Sequence, residues 1–364
     1  GSISSSYATG SVSGTNYVGG LVGETGNISS ISGSYAAGSV SATGDYARLG
    51  GLVGNQSGSI SSSYATGSVS ATGNYAKLGG LVGFRNGNIR CSYATGRVSA
   101  TETNTTLGGL VGAGMTYPDG SPVGSITNSY WDTLTTGQST SSGDATGLTT
   151  EQMKNADNYN SWDKSVWYLN GGQTAPLLQS FLTPLTVSVA NASQEYSGSV
   201  PAVTLANGSY DASKIVNALT WDGQGDVGAY SLKGGLYTTS QQGYLMDYDA
   251  NATLTIAPKV LTISGSHVYD GKTTVAGSDF GVISTGVGAE TLTVSGSGTL
   301  AAKDVGYQSV SPGSLALANG TGRNSNYTLG SISAMITSRP LTASVTVENK
   351  VYDGTADATI TGDI

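Results

Sequence analysis

Apolar residues recur along the first third of the chain at a fixed interval. Ile31, Ile60 and Ile89 are spaced 29 residues apart, and so are Tyr35, Tyr64 and Tyr93; Val40, Val69 and Val98; Leu49, Leu78 and Leu107; and Leu52, Leu81 and Leu110. Between these anchors small polar and apolar residues alternate, as in Gly67-Ser68-Val69-Ser70-Ala71, which is the period of a half-buried strand. No run has helical spacing. Two strings carry the repeat. Ser-Tyr-Ala-Thr-Gly or a near variant begins at Ser6, Ser34, Ser63 and Ser92, and Gly-Gly-Leu-Val-Gly begins at Gly19, Gly50, Gly79 and Gly108. Short strands punctuated by glycine and repeated in register predict the coils of a parallel β-solenoid, stacked about 4.8 Å apart. The glycine pairs are expected at corners, where positive φ or close backbone approach is needed.

A single coil cannot hold itself together. About six apolar anchors, each worth roughly 1.5–3 kcal/mol when buried, face an ordering cost of roughly 1.5 kcal/mol per residue. The coils must therefore stack, with their anchors in continuous columns and their backbones paired above and below. On this reading, substitution of Ser62 by alanine is expected to be nearly silent, because the position varies to Gly33, Cys91 and Asn128 in the other coils.

The pattern divides the chain. Residues 1–132 are expected to form the solenoid, with a protruding loop from Ala113 to Gly124 that contains Pro118 and Pro122. Residues 133–182 are expected to form its C-terminal cap and connector. They contain a Thr149/Gln152 capping-box signature and then Trp162, Trp167, Leu169, Leu177, Leu178 and Phe181, suited to covering an exposed end. Pro184-Leu185-Thr186, Pro258 with Leu261-Thr262, and Pro340-Leu341-Thr342 each open a new unit. These are expected to be small antiparallel β modules in tandem, at 183–257, 258–338 and 339–364. Val-Tyr-Asp-Gly at Val268–Gly271 and Val351–Gly354, and Tyr196-Ser197-Gly198 in the first unit, mark tight turns. The third unit stops at Ile364 inside its pattern, so the sequence is expected to be a segment of a longer protein. The fold class predicted is all-β, a solenoid followed by β modules.

Composition sharpens this picture. Glycine supplies 55 of 364 residues and charged residues only 10%, a balance that could belong to a disordered chain. The 37% of hydrophobic residues, at ordered positions, argues for a folded one. Net charge is −8; residues 1–112 hold five basic and three acidic groups, a net of +2, which leaves −10 for the remainder. No basic run suited to phosphates occurs, so nucleic acid is not an expected partner. No apolar run approaches the roughly 20 residues of a membrane helix, so membrane insertion is not expected. Cys91 is the sole cysteine, which excludes an intrachain disulfide.

The repeat carried by Gly-Gly-Leu-Val-Gly with Ser-Tyr-Ala-Thr-Gly resembles the GLUG motif of bacterial surface proteins, and the later units resemble MBG and YDG modules. Parts in this order are similar to filamentous-haemagglutinin-like adhesins exported by two-partner secretion, and to biofilm-matrix adhesins that bind exopolysaccharide. The resemblance implies an extracellular, cell-surface structural protein that mediates attachment through exopolysaccharide or another surface glycan. It also implies an outer-membrane transporter as export partner, engaged through a region outside this sequence.

Candidate chemistry is sparse. His267 has no second histidine or cysteine beside it, and Cys91 has no base partner, so neither zinc nor nucleophilic catalysis is expected. Some β-helix proteins cleave polysaccharides, and that alternative needs a carboxylate pair. Only Glu24, Asp45 and Glu102 lie within the coils, without forming a column, and Asp119 with Asp132 is the one pair that could meet near the solenoid's end. No enzyme activity and no cofactor are therefore expected. Asp222-Gly223-Gln224-Gly225-Asp226 and Asp247-Tyr248-Asp249 carry calcium-type oxygen donors, with turn formation as the plain alternative. Asn27, Asn55, Asn104, Asn191, Asn207, Asn251, Asn319 and Asn326 begin Asn-x-Ser/Thr. The candidate binding residues are Tyr46, Arg48, Tyr75 and Lys77. The cations are one period apart, with a tyrosine two residues before each, on the same face if the segment is extended. Aromatic planes beside cations suit sugar rings and anionic polysaccharide; a solvated charge ladder with packing tyrosines is the plain alternative.

Overall fold

Each coil of the repeat forms five short strands joined by tight corners. In the coil around residue 70 these are Ser59–Ser61, Tyr64–Ala65, Val69–Ala71, Lys77–Gly79 and Val82–Arg85. The computed structural model describes residues 1–206 and 209–361. These fall into two units, one of Gly1–Val189, Leu205–Leu219 and Gly234–Asp249, the other of Ala190–Thr204, Thr220–Lys233 and Ala250–Ile364.

The first unit holds the solenoid. Each strand pairs in parallel with its equivalent one coil away: Ile31 with Ile60, Ile60 with Ile89, Tyr64 with Tyr93, Val69 with Val98, Leu78 with Leu107, and Val82 with Val111. The aligned leucines and isoleucines point inward, and Leu52, Leu81 and Leu110 are completely buried. The interior has two lobes. One gathers the isoleucine column, Leu52, Leu81 and Leu110, and the alanines that follow each tyrosine; the other gathers Val40, Val69 and Val98 with Leu49 and Leu78.

Glycine makes the waist between the lobes. A Cβ on Gly83 would lie 2.5 Å from the Leu49 nitrogen and 2.6 Å from the Gly54 oxygen, and one on Gly79 would lie 2.0 Å from the Val82 oxygen. Two strands thus touch backbone to backbone. Close approach, rather than positive φ, is what the Gly-Gly-Leu-Val-Gly string supplies. The positive φ angles fall elsewhere in the coil, on Ser5, Gly33, Ser62, Cys91 and Asn128 at one corner and on Tyr46 and Tyr75 at another. The first corner takes glycine, serine, cysteine or asparagine because the shared requirement is a left-handed backbone, whatever the side chain.

The serine after that corner has a fixed task. The Ser34 N–H donates to Ser63 Oγ, Ser63 N–H to Ser92 Oγ and Ser92 N–H to Ser129 Oγ, each at 3.2 Å. The Ser63 hydroxyl in turn donates to the Ser61 carbonyl at 2.8 Å. The corner leaves these amides without a backbone acceptor, and an unsatisfied buried amide costs about 1–3 kcal/mol.

The tyrosines face outward, because alternate residues of a strand point to opposite sides and the neighbouring alanine takes the inside. Tyr7, Tyr35, Tyr64 and Tyr93 stack with ring centroids 5.3, 5.0 and 4.8 Å apart. The aromatic segment expected to cap the last coil lies along this stack instead. Phe181 meets Tyr7 and Tyr35 edge-on, Trp167 lies against Tyr64 and Tyr93, and Trp162 lies against Tyr93 and Tyr130. The segment buries Tyr35, Tyr64 and Tyr93 almost completely. The last coil is closed by Trp131, which replaces the small inward alanine, and by Thr146–Leu148 pairing onto Tyr130–Asp132. Burial raises the Tyr64 and Tyr93 hydroxyl pKa values, and both hydroxyls donate, to Gln241 Oε1 and to the Pro176 carbonyl.

The modules after residue 182 mix parallel and antiparallel pairs. In the first unit Thr183–Val189 runs parallel to Tyr244–Tyr248 and antiparallel to Leu205–Ala206. In the second, Ala192–Glu195 is parallel to Thr253–Ala257, and Lys259–Val268 to Tyr327–Thr337. The antiparallel expectation therefore holds for many pairs, among them Gly228–Lys233 with Thr253–Ala257 and Thr291–Ser295 with Ala316–Asn319, while the strands some sixty residues apart pair in parallel through long crossovers. Residues 183–257 contribute strands to both units. The glycines of the turn strings, Gly198, Gly271 and Gly354, have φ of 74°, 81° and 78°, the left-handed backbone that a tight turn takes from glycine. Among the described residues no helix is long and apolar enough to cross a membrane.

Candidate functional site

Tyr46 and Tyr75 sit at a corner of the solenoid, 69% and 52% exposed, with rings stacked at 5.1 Å and 13° between planes. Their φ angles are 57° and 55°. A left-handed backbone costs an ordinary side chain about 1–2 kcal/mol, so glycine or asparagine would suit this corner better. The strain is held by the coil: the Tyr46 N–H donates to the Asn74 carbonyl, the Asn74 N–H to Asp45 Oδ1, and the Tyr75 N–H to Asn104 Oδ1.

The segment is thus not extended at the tyrosines, and the cations have other partners. Arg48 and Lys77 are aligned across neighbouring coils. Both lie over the Phe84 ring, at 4.0 and 4.5 Å from its centroid, and Arg48 also lies over Tyr17 at 5.3 Å. Such stacking is worth about 0.5–1 kcal/mol near the surface. Arg48 donates to Asn55 Oδ1, and Asn55 donates to Glu24. Among the described residues neither cation forms a salt bridge. Burial, and then the charge of Arg48, lower the Lys77 pKa. The four residues therefore form two neighbouring features, an exposed aromatic pair and an unneutralised cation pair seated on Phe84. The sequence carried the Phe84 signal only as a lone phenylalanine after Gly83.

A second feature escaped sequence reading. A groove of about 520 Å³ runs beside the tyrosine stack. The position two residues after each tyrosine lines its floor, as Thr9, Ala37, Thr66 and Thr95, and Asp132 ends the file. Its signal was present in the threonine of Ser-Tyr-Ala-Thr-Gly, which must share the tyrosine's face.

The remaining candidates have plain structural roles. Asp119 is exposed and accepts from Ser121, whereas Asp132 is buried, caps the helix Thr133–Thr136 and accepts from Thr150. They are not arranged as a pair of free carboxylates. Cys91 is half-buried at the positive-φ corner, and burial raises its thiol pKa against the pull of Arg90. His267 lies between Asp279 at 3.0 Å and Asp270 at 3.5 Å. Asp226 binds Arg323 and Asn326, and Asp222 pairs with Lys233, so the calcium-type loop spends its acids on protein partners. Asn55 and Asn326 are buried, which leaves their amides inaccessible to modification. Asn207 lies outside the described residues.

The model of the GLUG motif matches residues 45–70, from the Asp45 corner through most of one coil into the valine strand. The model of the YDG domain matches residues 248–334. This chain carries a GLUG motif and a YDG domain. The matched GLUG coil shares its backbone register with the coils on either side, so their equivalent residues occupy GLUG positions. The YDG domain contains His267 and the Gly271 turn. No curated protein matches the chain. Among solved structures it is similar to a candidate immunoglobulin A1 protease from Bacteroides ovatus, at 23% identity and a TM-score of 0.39, over 50% of this chain and 58% of that one. The chain thus spans little more than half the length of that protein.

Proposed function

We propose that this protein is a secreted or cell-surface structural adhesin of the bacterial exterior, without catalytic activity, whose solenoid presents a surface for exopolysaccharide. The observation that carries the reading is the exposed Tyr46–Tyr75 stack, held on a strained left-handed backbone with an unneutralised cation pair two residues further on. Strain persists where surrounding structure fixes it, and such places cluster at binding sites. A tyrosine pair offers a flat, half-apolar plane to sugar rings, and Arg48 and Lys77 offer donors to sugar carboxylates or hydroxyls. One step of the coil repeats the contact at a fixed interval, so weak contacts to a repeating polymer add through avidity. GLUG and YDG modules in one chain support the adhesin reading through the resemblance of their order, and export by two-partner secretion through an outer-membrane transporter belongs to the same proposal.

The test is retention on immobilised exopolysaccharide. A Tyr46→Ser/Tyr75→Ser/Arg48→Ser/Lys77→Ser variant with an unchanged melting temperature should lose tenfold or more of the wild-type binding, about the worth of one or two net contacts. Equal retention of both proteins would place the binding surface elsewhere.

A further inference from the structure

The groove beside the tyrosine stack is independent of the Tyr46 corner, and its chemistry differs. Its floor is one face of the tyrosine sheet, so Thr9, Thr66 and Thr95 present their hydroxyls in one file at about 4.8 Å per coil, with Ala37 filling the step between Thr9 and Thr66. None of these three hydroxyls makes a hydrogen bond within the described protein. The charged groups at the far end are already occupied. Asp132 accepts from the Leu134 and Thr135 amides and from Thr150, and Lys154 pairs with Glu151 at 3.0 Å. The opposite wall is fixed, because the buried Gln241 side chain exchanges two hydrogen bonds with the Leu178 backbone and accepts a third from Tyr64. The volume, about 520 Å³, lies within the range of small-molecule sites.

We infer that this groove is a second binding site, for a short stretch of linear, uncharged glycan. Free hydroxyls above an apolar sheet face suit a ligand that is itself a hydroxyl-rimmed apolar ring. The spent charges leave nothing to recognise a carboxylate. The floor is a sheet face whose backbone groups are paired between coils, so an extended peptide finds no strand edge to join. A repeating ligand lies along a repeating row.

Calorimetric and NMR titration of the whole chain tests this, with neutral hexasaccharides of glucose, mannose, galactose and N-acetylglucosamine, and hexagalacturonate as the charged control. In the Tyr46→Ser/Tyr75→Ser/Arg48→Ser/Lys77→Ser variant, which lacks the corner cations that would take a carboxylate, at least one neutral hexasaccharide should bind, with the charged one at least tenfold weaker. Thr66→Val/Thr95→Val, which keeps shape and strand preference, should weaken that binding about tenfold through the loss of two hydrogen bonds. The Tyr46→Ser/Tyr75→Ser/Arg48→Ser/Lys77→Ser variant should bind the hexasaccharide as wild type does, so failure of the corner site and failure of the groove are told apart. The inference is overturned if no neutral hexasaccharide binds at millimolar concentration, if hexagalacturonate binds the corner variant equally well, or if the valine variant binds unchanged.

Discussion

Adding one methyl group at Gly83 is expected to unfold the central coils. The new Cβ would stand 2.5 Å from the Leu49 nitrogen, 2.6 Å from the Gly54 oxygen and 2.8 Å from the Leu49 carbonyl carbon. All three are backbone atoms of packed strands, so no side-chain rotation relieves the clash. Forcing the waist apart would open both lobes of the core at once, and overpacking of ordinary side chains already costs about 1–3 kcal/mol. Gly83→Ala should therefore exceed about 4 kcal/mol, in the exceptional range for single substitutions. Gly10→Ala is the control, since a Cβ there meets nothing within 4 Å. Thermal melts followed by circular dichroism should show a cooperative transition near the wild-type temperature for Gly10→Ala and none, or one greatly lowered, for Gly83→Ala. Similar melts for the two would mean that the strands of the waist are not in contact.

Leu81→Asp should have an effect of the same order for a different reason. Leu81 is fully buried between Leu52 and Leu110 in the isoleucine lobe, with no polar group to receive a carboxylate. Burying an unpaired charge there is costly enough that the group would protonate or the coil would open. Because neighbouring coils hold each other in register, loss of one removes the partners of the next. Limited proteolysis should cut the variant within residues 1–132 under conditions where the wild type resists. Resistance equal to wild type would contradict the inward column.

The spacing of 29 made the solenoid, its register and its leucine, isoleucine and valine columns legible, because stacked coils demand identity at the same place in every turn. Four features were harder to read. Tyr35, Tyr64 and Tyr93 share the period of the core anchors but face outward, and only the alternation with Ala36, Ala65 and Ala94 separates the two. That reversal moved the aromatic segment from the solenoid's end to its side. The glycines announced an unusual backbone without saying which kind, so close approach at Gly83 and positive φ at Gly33 looked alike. For the same reason the variability of the Ser62 position among Gly33, Cys91 and Asn128 reported a backbone requirement. At the candidate site, assuming an extended segment joined Tyr46 to Arg48; the left-handed corner separates them and leaves Arg48 and Lys77 over Phe84. Pairings between strands some sixty residues apart, such as Thr183–Val189 with Tyr244–Tyr248, leave no local signal.

Whether the protein holds polysaccharide without acting on it is read most directly from the fate of a bound polymer. The chain should be incubated with the exopolysaccharide it retains, with and without divalent metal, while bound polymer, polymer length, reducing ends and unsaturated sugars are followed. A structural adhesin should show stable retention, unchanged polymer length and no new ends under either condition. Release of shortened chains that stops when Asp132 or Asp119 is replaced by asparagine would contradict the adhesin reading and make the solenoid an enzyme.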